Sequence, residues 1–165
     1  MDDAEANQDG EPDAPSTPRL EHVLDLDVEV ADPIVVGETG DGLRRIIPIT
    51  GGTVSGRVEG TVLDGGADFQ RFRVDRPTEL VAKYAIETVD GDRVYVENWG
   101  IRHASPAVKE RLRDGLPVDQ SEVYFQSTPR FETAAPALDW LTQHVFVAAG
   151  IRRPNGVLLA VYRVV

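Results

Sequence analysis

From Leu20 onward, large side chains fall on every second position. Leu20, His22, Leu24, Leu26, Val28 and Val30 share one face of a predicted strand, against Glu21, Asp25, Asp27 and Glu29 on the other. This period of two is the mark of a half-buried strand. Asp32-Pro33 interrupts it, and Ile34-Val35-Val36 offers a continuation. Between Gly51 and Phe72 the pattern changes character. Gly52, Val54, Gly56, Val58, Gly60 and Val62 alternate with Thr53, Ser55, Arg57, Glu59, Thr61 and Leu63, so three glycines fall on a buried face. Backbone left bare in this way fits a sharply coiled strand or a ligand lying close against it.

Asp64-Gly65-Gly66 is predicted to turn the chain back into a second strand, Ala67 to Phe72. A two-residue turn would put Ala67, Phe69 and Arg71 on the glycine face, whereas a three-residue turn with a bulge puts Asp68, Gln70 and Phe72 there. The second is preferred, because it leaves Arg71 and Arg73 in solvent and brings Asp68 inside. Upstream, the adjacent Arg44 and Arg45 must point to opposite faces, so one of them looks into the fold.

Thr78 to Thr88 alternates Leu80, Ala82, Tyr84 and Ile86 against Glu79, Lys83 and Glu87. Asp90-Gly91 reads as a two-residue hairpin, which sets Tyr84 opposite Glu97 with Tyr95 and Trp99 on the same face. Pro106 to Arg113 is the one convincing helix, with Ser105 as its cap, Pro106 in its first turn and Gly115 as its stop. Ser121 to Thr133 admits two arrangements. Either its apolar face (Val123, Phe125, Phe131) lies in the core and its polar face (Glu122, Tyr124, Gln126, Thr128, Arg130, Glu132) in water, or the polar face lines a wet cavity. His144 to Ile151 and Gly156 to Val165 are two further apolar strands. The sum is an all-β fold: a closed antiparallel β-barrel of about eight to nine strands with one short α-helix, since closure removes exposed edges. A barrel of that size has room for one small ligand.

Charge and composition narrow the function. The formal net charge is −11, from 28 acidic and 17 basic side chains. Residues 1–18 hold six of the acids, three prolines and no base, which predicts a disordered acidic tail before a single barrel domain at 19–165. An acidic body repels phosphate backbones, so neither nucleic acid nor an anionic membrane is an expected partner. The absence of cysteine excludes disulfides and thiolate metal ligands and points to a reducing cytoplasm. His22, His103 and His144 have no short-range spacing, so no metal site is expected. The glycine-rich stretch 37–42 matches neither a P-loop nor a dinucleotide fingerprint, and no cofactor is expected. Ser55 is not in a nucleophile elbow. What remains is acid–base or electrostatic chemistry from Asp68, Tyr84, Glu97, Tyr124, Arg130 and Glu132, unless these groups serve only to hydrogen-bond one another.

Several segments together resemble a family known as domain of unknown function 3237: Gly42-Leu-Arg-Arg-Ile-Ile-Pro-Ile-Thr-Gly-Gly-Thr53, Gly56-Arg-Val-Glu-Gly60, Gly65-Gly-Ala-Asp68, Tyr84, Asp90-Gly91, Tyr124-Phe125, Pro129-Arg-Phe-Glu-Thr133 and Trp140-Leu141. The resemblance covers Leu20 to Val165. It implies a calycin-like or allene-oxide-cyclase-like barrel, and for some fungal relatives ring closure by addition of a hydroxyl across an activated double bond. Position by position it points to Arg45, Asp68, Tyr84, Tyr124, Arg130 and Glu132 as pocket residues. Gln126 stands where arginine is expected after Tyr-Phe, and Phe69 where tryptophan is usual. The resemblance favours the cavity-lining arrangement of the 121–133 strand.

The expected function is therefore a small-molecule-binding barrel acting as a cofactor-free cyclase, lyase or isomerase. Asp68 or Glu132 would be the base, Tyr84, Tyr124 and Arg130 would polarise a carbonyl, and Arg45, Gln126, Glu97 and Trp99 would complete the ligand site. A non-catalytic carrier with the same cavity and a structural or interaction barrel are the alternatives. Self-association is expected as well, because Phe125 and Phe131 would then face outward and need cover.

Overall fold

The fifteen residues of β3, Gly42–Gly56, tie the sheet together. One edge of β3 takes β1 (Leu20–Val30) along its second half, from Leu24 opposite Gly56 to Val30 opposite Ile49. The same edge takes β2 (Ile34–Thr39) along its first half. Asp32-Pro33 is the break between them, where proline cannot donate to a ladder. The other edge pairs with β4 (Gly60–Val62) and β5 (Gly66–Phe72). Both of these also pair with β6 (Thr78–Thr88), which leads to β7 (Arg93–His103), β8 (Tyr124–Thr133), β9 (Phe146–Arg153) and β10 (Gly156–Val164). β10 returns to β1 and closes the ring. The result is a closed antiparallel barrel of eight staves, two of them broken, whose shortest seam joins β8 and β9 at Gln126–Ala149 and Ser127–Ala148. These statements come from a computed structural model that describes residues 15–165; the expectation of disorder for the first fourteen residues lies outside the described residues.

The glycines of β3 and β4 answer to neighbouring backbone and not to a ligand. A Cβ at Gly52, Gly56 or Gly60 would collide with the carbonyl oxygen of Asp27, Val23 or Glu87 respectively. Gly52 also has φ 135°, which side-chain-bearing residues rarely adopt. None of the three lines the cavity described below. The continuous strand expected here is also broken: β3 ends at Gly56 and β4 starts at Gly60, and these glycines serve close approach of neighbouring backbone.

The reversal expected at Asp64-Gly65-Gly66 lies elsewhere. The chain turns at residues 57–59, and β4 and β5 are two pieces of one stave. Val62 sits opposite Ile86 and Ala67 opposite Lys83, so two extra residues bulge out between them. Asp68 and Gln70 still face inward, because two extra residues are one full period and keep the even-numbered residues on the face of Val62, as the preferred three-residue turn would have done.

One half of the barrel is a dry core. Leu24, Leu26, Val94, Val96, Ala148 and Val161 are almost fully buried there, and Phe131 meets Phe146 edge-on at 5.1 Å between ring centroids. A 3₁₀ turn, Pro136–Leu141, closes this end by burying Leu141, while Arg57 stacks 4.1 Å over Trp140 outside it. The helix α1 (Pro106–Arg113) begins where expected, with Ser105 Oγ accepting from the Val108 amide at 3.4 Å. Its Val108 and Leu112 pack on Ala104 in a small separate cluster. Lys109 on the same helix donates to the carbonyls of Arg73, Val74 and Arg76 at 2.7, 3.0 and 2.5 Å, fastening α1 to the loop before β6.

Candidate functional site in the polar half of the barrel

Cross-strand pairing decides which side chains share the interior. Directly opposed residues face the same side of a sheet, as do alternate residues along a strand. One rung runs Ile47–Asp68–Ala82–Asn98, the next Arg45–Gln70–Leu80–Gly100–Ser127, and the third includes Thr78, Arg102 and Phe125. Ala82 and Gly100 are the small members of these rungs, and they leave the space that larger residues would fill. Gly66 plays a related part below them: a Cβ there would lie 2.5 Å from Tyr84 Cβ, so glycine lets Tyr84 pack flush against β5.

The space is a cavity of about 430 Å³, inside the range of about 300–1,000 Å³ usual for small-molecule sites. Val28, Ile49, Leu80, Phe125 and Leu159 form its apolar wall. Its polar wall is Arg45, Asp68, Gln70, Tyr84, Asn98, Arg102, Ser127 and Arg152. The loops at Asp32-Pro33, Arg113–Gly115 and Pro154-Asn155 surround its mouth.

A single amide organises the centre. Gln70 Nε2 donates to Asp68 Oδ2 at 2.7 Å, and Gln70 Oε1 accepts from Arg45 Nη2 at 3.4 Å. Arg45 Nη1 donates in turn to the Arg113 carbonyl at the end of α1, 3.1 Å away. A chain of hydrogen bonds thus runs from the mouth to Asp68. Asp68 Oδ1 is left buried without a partner, and so are Tyr84 Oη, Asn98 Oδ1, Ser127 Oγ, Arg45 Nε and Arg102 Nε. Buried polar atoms are costly when unmatched. Six of them around one cavity are groups for a ligand or water to satisfy.

Burial also sets the protonation states. It pushes the Asp68 carboxyl above the usual carboxylate range, with partial relief from Gln70, Arg102, the Val81 amide and Arg45. It pushes the Tyr84 phenol up, so the hydroxyl keeps its proton and remains a donor. Arg102 is brought down to about 10, first by burial and then by repulsion from Arg152. Arg45 is lowered for the same two reasons in the same order. At neutral pH the cavity therefore offers one hard-to-ionise acid, one neutral phenol and several guanidinium cations. Among the described residues no three His, Asp or Glu side chains gather as metal ligands, and no helix is long and apolar enough to cross a membrane.

Of the residues singled out from sequence, Arg45, Asp68 and Tyr84 stand in this cavity. The others do not. Tyr124, Gln126, Arg130 and Glu132 are exposed on the outer face of β8, and Phe125, Ser127 and Phe131 take the inside. The cavity-lining arrangement of the 121–133 strand is overturned in favour of the simpler one. Phe125 and Phe131 are only 8% and 5% exposed, so they give no ground for self-association. Glu97 and Trp99 also face outward, Glu97 pairing with Lys83 at 3.2 Å. The cause is the turn after β6. Glu87 pairs with Arg93, the Thr88 amide donates to the Asp92 carbonyl at 2.8 Å, and Gly91 has φ 86°. The loop is thus Val89-Asp90-Gly91, three residues and not two. Tyr84 lies opposite Val96 and Lys83 opposite Glu97, and a slip of one residue turns a whole strand over. Asn98, Arg102, Ser127 and Arg152 were not foreseen as site residues, although Asn98 and Arg102 continue the every-second-position series begun by Val94 and Val96.

Comparison with known proteins agrees with this architecture. A UPF0311 protein of Bradyrhizobium diazoefficiens is 46% identical over 150 residues, spanning 90% of this chain and 99% of that one. The crystal structure of a conserved protein of unknown function from Rhodopseudomonas palustris superposes with a TM-score of 0.85 at 42% identity, over 92% of this chain and all of the other. A beta-barrel like protein from Acinetobacter baumannii gives a TM-score of 0.81 at 35% identity, over 92% and 99% of the two chains. The family model described as protein of unknown function, DUF3237, matches residues 18–164. The chain belongs to the DUF3237 family.

Proposed function

We propose that the cavity binds a small organic molecule and carries out proton transfer on it without a cofactor, as a cyclase, lyase or isomerase. The observation that carries this reading is the free Oδ1 of Asp68, buried beside a cavity that also holds the unpartnered Tyr84 Oη and Arg102 Nε. Asp68 in its ionised form takes a proton from a carbon next to a carbonyl, or from a hydroxyl adding to a conjugated double bond. The negative charge that develops on the carbonyl oxygen is met by the Tyr84 hydroxyl and the Arg102 guanidinium. Return of the proton from Asp68 to carbon completes an isomerisation with no net gain or loss of atoms or electrons. A carboxyl pushed above its ordinary range by burial suits this exchange, because acid–base groups work best when their pKa approaches the working pH. Glu132, Tyr124 and Arg130 have no part in it, since they face the other way.

Deuterium incorporation tests the proposal. A panel of enolisable ketones and conjugated enones is incubated in D₂O with the protein and followed by proton NMR. The expected result is exchange at one or more members by the wild-type chain and by Glu132→Gln, and none by Asp68→Asn. Undiminished exchange by Asp68→Asn would remove Asp68 from the chemistry. Binding of panel members without exchange would make the barrel a carrier.

A further inference from the structure

We propose that the ligand of this cavity carries a carboxylate, seated against Arg102 and Arg152. The inference rests on the small-molecule reading above and adds the charge of the ligand. The chain as a whole has a formal charge of −11, yet its interior is cationic. Arg45, Arg102 and Arg152 line the cavity, and Asp68 is the one acid on its polar wall. Asp32 and Asp114 stand at the mouth, and Arg153, also at the rim, is held outside by Asp27 at 2.6 Å.

The three interior arginines are not equivalent. Arg45 is committed, bonding the Arg113 carbonyl and Gln70. Arg102 is buried with Nε unpartnered, and its guanidinium makes no hydrogen bond to another described residue. Arg152 shares the inner face of β9 with Phe146 and Ala148. Its backbone amide donates to Gln120 at 3.3 Å, while its guanidinium likewise bonds no described residue. The two cations repel each other, and a buried charge without a partner is destabilising. An anion between them relieves both. Guanidinium presents paired donors that match the two oxygens of a carboxylate.

Carboxylate is favoured over phosphate by what else faces the site. Asp68, in the ionised form that proton transfer uses, repels a second negative charge. The helix α1 turns its C-terminal end toward the mouth, with the Arg113 carbonyl at the rim, and that end carries partial negative charge. Among the described residues no glycine-rich loop or helix start lines the cavity to cradle a dianion.

Calorimetric titration of 2-naphthoate and its neutral counterpart 2-naphthamide tests the proposal. The wild-type chain is expected to bind naphthoate at least about tenfold more tightly, with a preference that shrinks as salt is raised. Arg152→Gln, at a half-buried position, is expected to bring the naphthoate-to-naphthamide affinity ratio to within about twofold of one. Arg102→Gln should do the same if it folds; Arg152→Gln decides the matter if it does not. Equal binding of both probes by the wild-type chain would overturn the carboxylate proposal and leave the small-molecule reading standing. A preference that survives in Arg152→Gln would overturn it too. Failure of both probes to bind at all would bring down both readings.

Discussion

Gln70 and Asp68 face the same way on β5, and the 2.7 Å bond from Gln70 Nε2 to Asp68 Oδ2 determines which carboxyl oxygen is spent and which is free. The sign of the resulting pH effect is definite. Asp68 holds its proton more tightly in the folded chain than in the unfolded one. Its contribution to stability is therefore full below the unfolded carboxyl value of about 3.9, and it is lost as pH rises through the raised folded value. Asp68→Asn removes that loss. Thermal unfolding of the variant and the wild-type chain from acid to neutral pH should show the variant gaining relative stability as pH rises. A gap that shrinks over the same range would contradict the assignment.

Gly66 sets the seat of Tyr84. A methyl group there would lie 2.5 Å from Tyr84 Cβ and 2.6 Å from the Lys83 carbonyl oxygen, so β5 and β6 must separate. Gly66→Ala should cost about 1–3 kcal/mol, the usual range for overpacking, measured by urea unfolding. It should also weaken binding of 2-naphthoate, because the phenol moves with its strand.

Lys109 fastens α1 by donating to three carbonyls, and its ammonium lies 5.5 Å from the Phe72 ring centroid. Lys109→Met keeps the chain length and removes every donor. The expected loss is about 1–3 kcal/mol for the charge-assisted hydrogen bonds removed, again by urea unfolding. Faster amide hydrogen exchange confined to α1 and residues 73–77 would locate the damage.

The outer face of β8 supplies the control. Glu132→Gln, Arg130→Gln and Tyr124→Phe each alter an exposed side chain, and each should shift stability by less than about 0.5 kcal/mol. None should change the affinity for 2-naphthoate. A large effect on binding from any of them would move the site to the outside of the barrel.

The barrel itself was legible because alternation is a local property of each strand, and Leu24, Leu26 and Val28 announce their own face. Asp68 faces inward as expected although the predicted turn before it is a bulge, since both geometries keep the even-numbered residues on one face. Tyr84 was placed by the apolar company of Leu80 and Ile86. Failure came where a face depends on a partner strand. Asp90-Gly91 looks the same in a two-residue and a three-residue loop, and the choice between them turns Glu97 and Trp99 out and Asn98 and Arg102 in. For β8 both faces were plausible linings, and only Phe125, Ser127 and Phe131 meeting the interior decides between them. Arg152 was invisible for a different reason. It stands next to Arg153, and nothing local says which of the two adjacent guanidinium groups enters the barrel.

The central claim is that a small molecule binds inside the barrel and not against its outer aromatic and charged face. Methyl-labelled NMR with 2-naphthoate tests it most directly. The account predicts shifts at Val28, Ile49, Leu80 and Leu159, which line the cavity, with none at the exposed Val36, Val74 and Val89. Unmoved cavity methyls at saturating 2-naphthoate would contradict it.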